Sequence, residues 1–479
     1  TIGPARRPFG ACPPEAMPAT ESAAATGTLD LPPEPSLPTR PLERTLRLFS
    51  DVREGEGPRL LALTLNVFLI LVAYYVMKPV REVLILAQPG GAELKSYAYA
   101  AQAALFVVLV PLYGAVAARL PRRQLINGVT ALFIACLPVF YILAERGVVI
   151  GLVFFLWIGV FSLMVTAQFW AYANDVYTPA AGQRLFAVIA FGASSGAVAG
   201  AWLSGRLIPI IGARALLLAA AGILVLSLAL FNVIDRRDGQ RRQVGRAADD
   251  PPEKAIGGRS AFALVASNRY LLGMALVILL LNWVNSAGEY ILSAIVKQAA
   301  EDQIAAGLLA RTDQGRFIGA FFADYFQFVN IIGLLLQLFL VSRLVKWLGV
   351  SIALCVLPVV ALGSYGVAML LPSLAIVRWA KTAENAVDYS LMNTVRQMLF
   401  LPTTREEKYK AKQVIDSLVV RSGDVLAAGT VYVGTTVFAL NVSQFAAINV
   451  ILVLVWLAAS VMTGLEFNRR GAMPARAAE

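Results

Sequence analysis

Charged side chains interrupt the long apolar stretches of this 479-residue sequence. The clearest case is "YYVMKPVREVLIL", in which Lys78, Arg81 and Glu82 arrive together before apolar residues resume. A charge at the centre of a bilayer costs several kcal/mol, so a charge found there usually faces a cavity or a partner. An ammonium or guanidinium group in a cavity could bind a phosphate or carboxylate, and a carboxylate could couple to a proton or orient a substrate.

The same criterion selects a wider set of substrate-binding or coupling candidates. They are Lys78, Arg81, Glu82, Asn174, Glu289, Asp324, Arg378, Lys381, Asp388 and Arg421. Pro79 removes a backbone donor and frees the carbonyl one turn earlier, which predicts a break in the first helix at the edge of a cavity. Three interpretations of Lys78 stay open. Its side chain could reach the membrane interface, face a substrate, or be held by Glu82 and Glu289 as part of a gate.

Two other groups also allow alternative interpretations. Arg378, Lys381, Glu384 and Asp388 follow one another at spacings of three and four, so they share one helical face. They could neutralise one another there or contact a ligand. Asp324 could face the cavity or mark the water-exposed start of the eighth helix.

The elements that position these residues are predicted to be membrane helices. The sequence is 58% hydrophobic and only 15% charged, which is too apolar for the surface of a soluble protein of this size. A window of about 19 residues predicts about twelve spans, and the fold class is therefore an all-α polytopic membrane protein. The predicted spans are 60–78, 97–118, 125–143, 148–173, 185–205, 214–234, 270–292, 317–341, 350–371, 374–396, 412–438 and 443–464.

Loop charges predict the topology. Arg and Lys concentrate in alternate loops, as the positive-inside rule describes, so both termini are expected to be cytoplasmic. The net charge of +11 is explained in this way, without nucleic-acid binding. The predicted organisation is a disordered Pro-rich tail (1–58), a six-helix half (59–235), a basic linker (236–269), a second six-helix half (270–465) and a short tail (466–479).

Two echoes between the halves indicate an internal repeat. The acid Glu289 stands within an apolar run much as Glu82 does, and "PAAGQRLFAVIAFGASSG" is echoed by "PTTREEKYKAKQVIDSLVVRSG". Transporters built from such repeats bind substrate between the halves near the midplane of the bilayer. "GASSGAVAG" carries a doubled small-xxx-small pattern that predicts close helix packing, with an indirect role as a pivot for rocking of the halves.

Several function classes lose support. The chain has no histidine, which is the commonest metal ligand. Cys136 and Cys355 lie within apolar runs and Cys12 in the tail, so no disulfide framework is predicted. The phosphate-loop motif G-x-x-x-x-G-K-[ST] does not occur in the sequence, and the nucleophile-elbow motif G-x-S-x-G does not occur between a predicted strand and a helix. We therefore expect no enzyme activity, no metal and no cofactor.

Two segments resemble the ATP:ADP antiporter family of nucleotide transporters. They are "QFWAYANDVYTPAAGQRLFAVIAFGASSGA" and "DYSLMNTVRQMLFLPTTREEKYKAKQVIDSLVVRSGD", and a more diffuse similarity spans most of residues 60–465. The resemblance implies a twelve-helix, major-facilitator-like fold with a central cavity. It also implies that Lys78 matches a functionally important lysine after the first helix, that Glu289 matches a glutamate of the seventh, and that Arg421 replaces the lysine of a Lys-Ser-Gly motif.

The sequence departs from this family at two positions. Its nucleotide exchangers carry a glutamate in the fourth helix, where this chain is apolar around Ile158, and Asp388 stands where the family often has a lysine. The prediction is a monomeric, multi-pass transporter of the bacterial inner membrane. It would move a small anionic solute, a nucleotide or another phosphate or carboxylate compound, by alternating access. Strict ATP/ADP exchange and a transport-inactive membrane scaffold stay as alternatives.

Overall fold

The computed structural model describes residues 51–53, 55–117, 119–177, 179–242, 261–404, 407 and 411–472. Most of the predicted disordered tail (1–50), the central part of the basic linker (243–260) and the end of the chain (473–479) lie outside these residues. The described part of the chain is built from helices that run back and forth.

The first half begins with α1 (Gly57–Leu86), α2 (Gly91–Ala117), α3 (Arg122–Glu145) and α4 (Gly151–Val176). A continuous helical stretch, Pro179–Arg242, then has 64 residues and is interrupted only at Gly212, whose φ is 79°. A straight helix of that length would measure about 96 Å, whereas the apolar core of a bilayer is about 30 Å thick. Gly212 is therefore the reversal between two helices, α5 (179–211) and α6 (213–242).

The second half follows the same plan. A short helix, Ala261–Ser267, precedes α7 (Arg269–Ala305). Gly349, with φ 73°, separates α8 (314–348) from α9 (350–370), and a π-helical turn, Leu336–Leu340, lies within α8. The last three helices are α10 (374–398, with a π-helical turn at Asp388–Met392), α11 (412–436, with one at Ile415–Val419) and α12 (Val442–Ala472).

The predicted membrane helices are confirmed. Among the described residues, eight helical segments are long and apolar enough to cross a membrane. Two of these segments, Arg184–Arg237 and Arg311–Leu370, contain the glycine reversals and count twice. The more polar α10 and α11 complete twelve helices, six in each half. The first residue of α1 and the last of α12 consequently lie on one side of the membrane, here called the terminal face, and the opposite side is the far face.

The helix break predicted at Pro79 is wrong. Helix α1 continues through Pro79 to Leu86. Proline cannot donate to the carbonyl one turn earlier, which is that of Tyr75. The hydroxyl of Ser204 on α5 lies 3.2 Å from the Tyr75 oxygen and 2.8 Å from the Gly200 oxygen. A neighbouring helix thus offers the donor that α1 lacks, and the helix need not end.

The close packing predicted for the small-residue pattern is confirmed. A Cβ added at Gly192, Gly196 or Gly200 would lie within 2.6 Å of an atom of α1. This seam joins α1 to α5 within the first half, so it does not form the expected pivot between the halves. In the second half, Gly423 of α11 packs in the same way on α7, where an added Cβ would lie 2.7 Å from Asn282 Cβ. The glycines of the two echoed segments therefore both allow two helices of the same half to pack closely.

Candidate functional site

A central cavity of about 540 Å³ lies between the two halves. Helices α1, α2 and α4 of the first half line it together with α7, α8, α10 and α11 of the second. Its charged lining residues are Lys78, Arg81, Glu289 and Arg421. Four of the sequence-predicted residues, which are up to 343 positions apart in the chain, thus come together at one place. The cavity offers three cationic groups and one carboxylate.

Two of the three cations already have acidic partners. The guanidinium of Arg81 donates through Nε to Glu82 Oε1 at 3.0 Å, and both side chains are buried. Arg421 Nη1 lies 3.1 Å from Asp424 Oδ2. Lys78 differs, because no carboxylate of the described residues lies within 4.0 Å of its ammonium group.

Aromatic rings surround the Lys78 ammonium. Its Nζ lies 4.2 Å from the centre of the Phe326 ring and 4.9 Å from that of Tyr75, and the rings of Tyr74 and Tyr389 are at 5.8 and 6.0 Å. Ring faces attract a cation but do not neutralise its charge as a carboxylate does. Lys78 is only 8% exposed, so it presents a largely dehydrated positive charge to the cavity.

A lysine that the sequence analysis missed joins the halves beside this cavity. Lys95 of α2 is 1% exposed, and its Nζ lies 2.9 Å from Glu82 Oε2 and 3.3 Å from Glu289 Oε2. It also donates to the hydroxyl of Ser293 at 3.0 Å. We call Lys95, Glu82 and Glu289 the Lys95 bridge. The place between two carboxylates that was considered for Lys78 is occupied by Lys95.

The Lys95 bridge lies on the far-face side of the cavity, since Lys95 is in the second turn of α2, which begins at Gly91. Further contacts between the halves lie beside it. Lys297 of α7 donates to the carbonyl oxygen of Gln88 at 2.9 Å. The hydroxyl of Tyr290 is 3.5 Å from Glu93 Oε1. The two halves are therefore held together on the far-face side.

Glu289 also belongs to a polar network within the second half. Asn385 Nδ2 donates to Glu289 Oε1 at 3.1 Å. Behind it, the ammonium of Lys381 lies 3.0 Å from Glu384 Oε1 and 2.5 Å from Asn285 Oδ1. Of the four charged residues predicted to share one face of α10, Lys381 and Glu384 thus form an internal ion pair, which holds Lys381 away from the cavity. Glu289 is the member that reaches both the bridge and the cavity.

Four other sequence-predicted residues lie outside the cavity lining. Asn174 is exposed near the end of α4. Asp324 is 54% exposed and lies 3.9 Å from Arg378; it is well inside α8, which begins at Gln314, so it does not mark the start of that helix. Asp388 lies in the π-helical turn of α10, directly before the cavity residue Tyr389.

Lys95 escaped notice because the hydropathy window begins the second span at residue 97. In the structure, α2 begins at Gly91, directly after Gly90, whose φ of 63° makes the tight turn from α1. A Cβ at Gly91 would lie 2.4 Å from the Ile85 oxygen, so the turn needs glycine there as well. The pair "GG" was the available signal that Lys95 belongs to the helix.

Comparison with known proteins gives a partial sequence match and many similar folds. No family model matches the sequence. The ADP,ATP carrier protein 2 of Chlamydia pneumoniae is 22% identical over 239 residues, a match that spans 45% of this chain and 42% of the carrier. This similarity is confined to less than half of either protein.

Solved transporter structures match nearly the whole described chain. A bacterial homologue of the human lysosomal transporter Spinster, in an inward-facing and unoccupied conformation, has a TM-score of 0.57 at 14% identity and covers 88% of this chain and 99% of its own. The nucleoside transporter NupG has a TM-score of 0.57 at 12% identity, and the match covers 86% of this chain and 99% of NupG. An auto-inhibited POT family peptide transporter has a TM-score of 0.59 at 11% identity, and the match covers 86% of this chain and 96% of the transporter. Identities this low establish the fold alone. The chain is a polytopic, all-α membrane protein with the two-half, major-facilitator-like fold of these proteins.

Proposed function

We propose that this protein is a secondary transporter that moves a small anionic solute across the membrane by alternating access, and that the central cavity is its binding site. The observation that carries the proposal is the ammonium of Lys78, which is 8% exposed, faces a cavity shared by both halves and has no carboxylate within 4.0 Å among the described residues. A buried cation without an anionic partner is unfavourable, so an anionic ligand would stabilise it.

Each charged group of the cavity has a role in this proposal. Lys78 binds the anionic group of the solute, and Arg81 and Arg421 strengthen the positive field while their own carboxylates hold them in place. Glu289 orients the solute or takes up a coupling proton. Lys381 positions the network behind Glu289 through Glu384 and Asn285.

The Lys95 bridge serves as the closure of the far-face side. Lys95 and Glu82 belong to the first half, and Glu289 and Ser293 belong to the second. Separation of the halves on this side would break the contacts to Glu289 and Ser293 and leave the contact to Glu82 intact. Because Glu289 also lines the cavity, a bound solute would contact the closing element directly.

The lining suits a solute that combines an anionic group with a flat apolar part. The volume of the central cavity lies within the range of about 300–1,000 Å³ that is usual for small-molecule sites. Aromatic side chains contribute from both halves, and they are Tyr74, Tyr99, Phe106, Trp170, Phe326 and Tyr389. Nucleotides and other phosphate or carboxylate compounds with a ring fit this chemistry.

A thermal-shift screen tests the proposal. Detergent-purified protein is heated with nucleotides, sugar phosphates, organic acids and peptides, because a ligand that binds only the folded state raises the apparent stability. We expect an anionic compound to raise the Tm of the wild type and not that of Lys78→Gln. The matched control is Lys346→Gln, which removes an exposed lysine outside the cavity. Equal shifts in all three proteins would contradict a role for Lys78.

Strict ATP/ADP exchange is the second candidate, favoured by the partial similarity to the chlamydial carrier. The fourth-helix glutamate of the family's exchangers has no counterpart among the residues of α4 that line the cavity, which include Gly159, Ser162, Thr166 and Trp170. Proteoliposomes separate the two proposals: strict exchange requires ATP or ADP inside before labelled ADP enters. Active protein without such counter-exchange rejects it.

The remaining aspects of the proposal concern the setting of the protein. We propose a monomer in the bacterial inner membrane with both termini cytoplasmic, in line with the loop charges of the sequence. A scaffold without transport would depend on the tail and on the basic linker. Deletion of residues 1–50 and 243–260 with retained transport would argue against that alternative.

A further inference from the structure

A second cavity, of about 230 Å³, lies between α7 and α12 at the terminal face. The first turns of α7 and the last turns of α12 line it, and it shares no residue with the central cavity. We propose that this groove binds the headgroup of an anionic phospholipid. The proposal is independent of the transported solute, because the groove lies wholly within the second half.

The groove carries positive charge. Arg269 is exposed, and no carboxylate of the described residues lies within 4.0 Å of its guanidinium group. The one acidic lining residue, Glu466, is shared between two arginines, with Arg469 Nη1 at 3.7 Å and Arg470 Nε at 3.9 Å. Arg269 is therefore left to attract a phosphate group.

A buried hydroxyl without a partner points to the same ligand. Thr463 lines the groove and is 3% exposed, yet its Oγ1 has no hydrogen-bond partner among the described residues. An unsatisfied buried polar group is unfavourable. Gly273 lies opposite, where an added Cβ would be 2.8 Å from that oxygen. The hydroxyl therefore packs directly against Gly273 at the wall of the groove, and a phosphate oxygen would accept a hydrogen bond from it once this contact opens.

The apolar part of the lining distinguishes a lipid from a soluble anion. Leu276 and Met462 line the groove, and they are 43% and 60% exposed. They lie deeper in the membrane than Arg269 and Arg469, which are near the helix ends, and so they continue the groove toward the bilayer core. Basic pockets between membrane helices are known to bind lipid headgroups. Acyl chains would cover the apolar residues while the phosphate lies between the arginines.

Titration of lipids into the full-length protein in detergent tests this proposal, with the Tm as readout. Phosphatidylglycerol is compared with phosphatidylcholine and with inorganic phosphate. We expect stabilisation by phosphatidylglycerol at far lower concentrations than by the other two. The double variant Arg269→Gln/Arg469→Gln should weaken the apparent affinity for phosphatidylglycerol by about 30-fold, since each surface arginine contributes roughly a fivefold factor.

Two further variants make the test specific. Arg343→Gln/Lys346→Gln removes two exposed cations of the same face outside the groove and should leave the affinity unchanged. Thr463→Val keeps the shape but removes the hydroxyl, and should weaken binding by about tenfold. Equal stabilisation by phosphatidylcholine, or equal losses in the groove and control variants, would overturn the proposal. Stabilisation by inorganic phosphate at the same concentrations would show a soluble-anion site instead and would also overturn it.

Discussion

Replacement of Lys95 by methionine is expected to open the far-face side of the central cavity. Lys95 is 1% exposed and connects Glu82 of the first half with Glu289 of the second at 2.9 and 3.3 Å. Loss of one partner from a buried ion pair costs about 3–5 kcal/mol. Glu289 keeps the hydrogen bond from Asn385, and Glu82 keeps Arg81, so the lower value, about 3 kcal/mol, applies. That energy corresponds to a shift of about 100-fold between closed and open states.

Thiol accessibility measures this shift. Ser162 lines the central cavity, and Ser162→Cys can be introduced after replacement of Cys12, Cys136 and Cys355 by alanine. A membrane-impermeant maleimide is added at the far face of membranes of known orientation. We expect the labelling rate to rise by up to about 100-fold when Lys95→Met is added, because the reagent reaches the cavity only when the far side is open.

Two controls accompany this experiment. Lys95→Arg keeps a cation in the bridge and should restore slow labelling in part, whereas Lys346→Met removes an exposed lysine elsewhere and should have no effect. The Tm of each variant shows that it is folded. A labelling rate that is unchanged in folded Lys95→Met protein would refute the reasoning that the Lys95 bridge closes the far side.

Two further predictions concern stability and are read from thermal unfolding. Gly196→Ala should destabilise the protein by about 1–3 kcal/mol, since the added Cβ would lie 2.5 Å from a backbone oxygen of α1. The control Gly222→Ala, whose added Cβ meets nothing within 4 Å, should be neutral or slightly stabilising. Equal effects of the two substitutions would contradict close packing of α5 on α1. Ser204→Ala should cost about 1–3 kcal/mol, because the Tyr75 carbonyl freed by Pro79 then loses the Ser204 hydroxyl as a donor. Ser417→Ala removes an exposed hydroxyl and should change the stability by less than about 0.5 kcal/mol. An unaffected Ser204→Ala protein would show that this donor is not needed.

Much of the fold could be predicted because hydropathy and charge act locally. Ten of the helices carry an apolar segment long enough to be recognised without tertiary information. Intramembrane charges also have few acceptable places, which is why Lys78, Arg81, Glu289 and Arg421 could be selected from the sequence and are found around one cavity. The reversals at Gly212 and Gly349 are short, and the apolar residues on both sides still showed two helices.

The features that could not be predicted from the sequence depend on contacts between segments that are distant in the chain. The donor that allows α1 to continue through Pro79 is Ser204, 129 positions from Tyr75. No local pattern links these residues, and the rule for an isolated helix predicted a break. In the same way, the finding that Lys95, and not Lys78, lies between Glu82 and Glu289 required the approach of α2 to α7, which brings residues 194 positions apart into contact. Lys78 and Lys95 are both lysines near the end of a helix that lies at the far face, and only the residues around them distinguish the two.

Uptake of a labelled solute into proteoliposomes tests the central claim most directly, with the anionic compound that gives the largest thermal shift as the solute. We expect saturable uptake by the wild type and by Lys346→Gln, and uptake near that of empty liposomes for folded Lys78→Gln protein. Wild-type protein that binds the compound without moving it would contradict transport. Unchanged uptake by Lys78→Gln would contradict the assignment of Lys78 as the group that binds the anion.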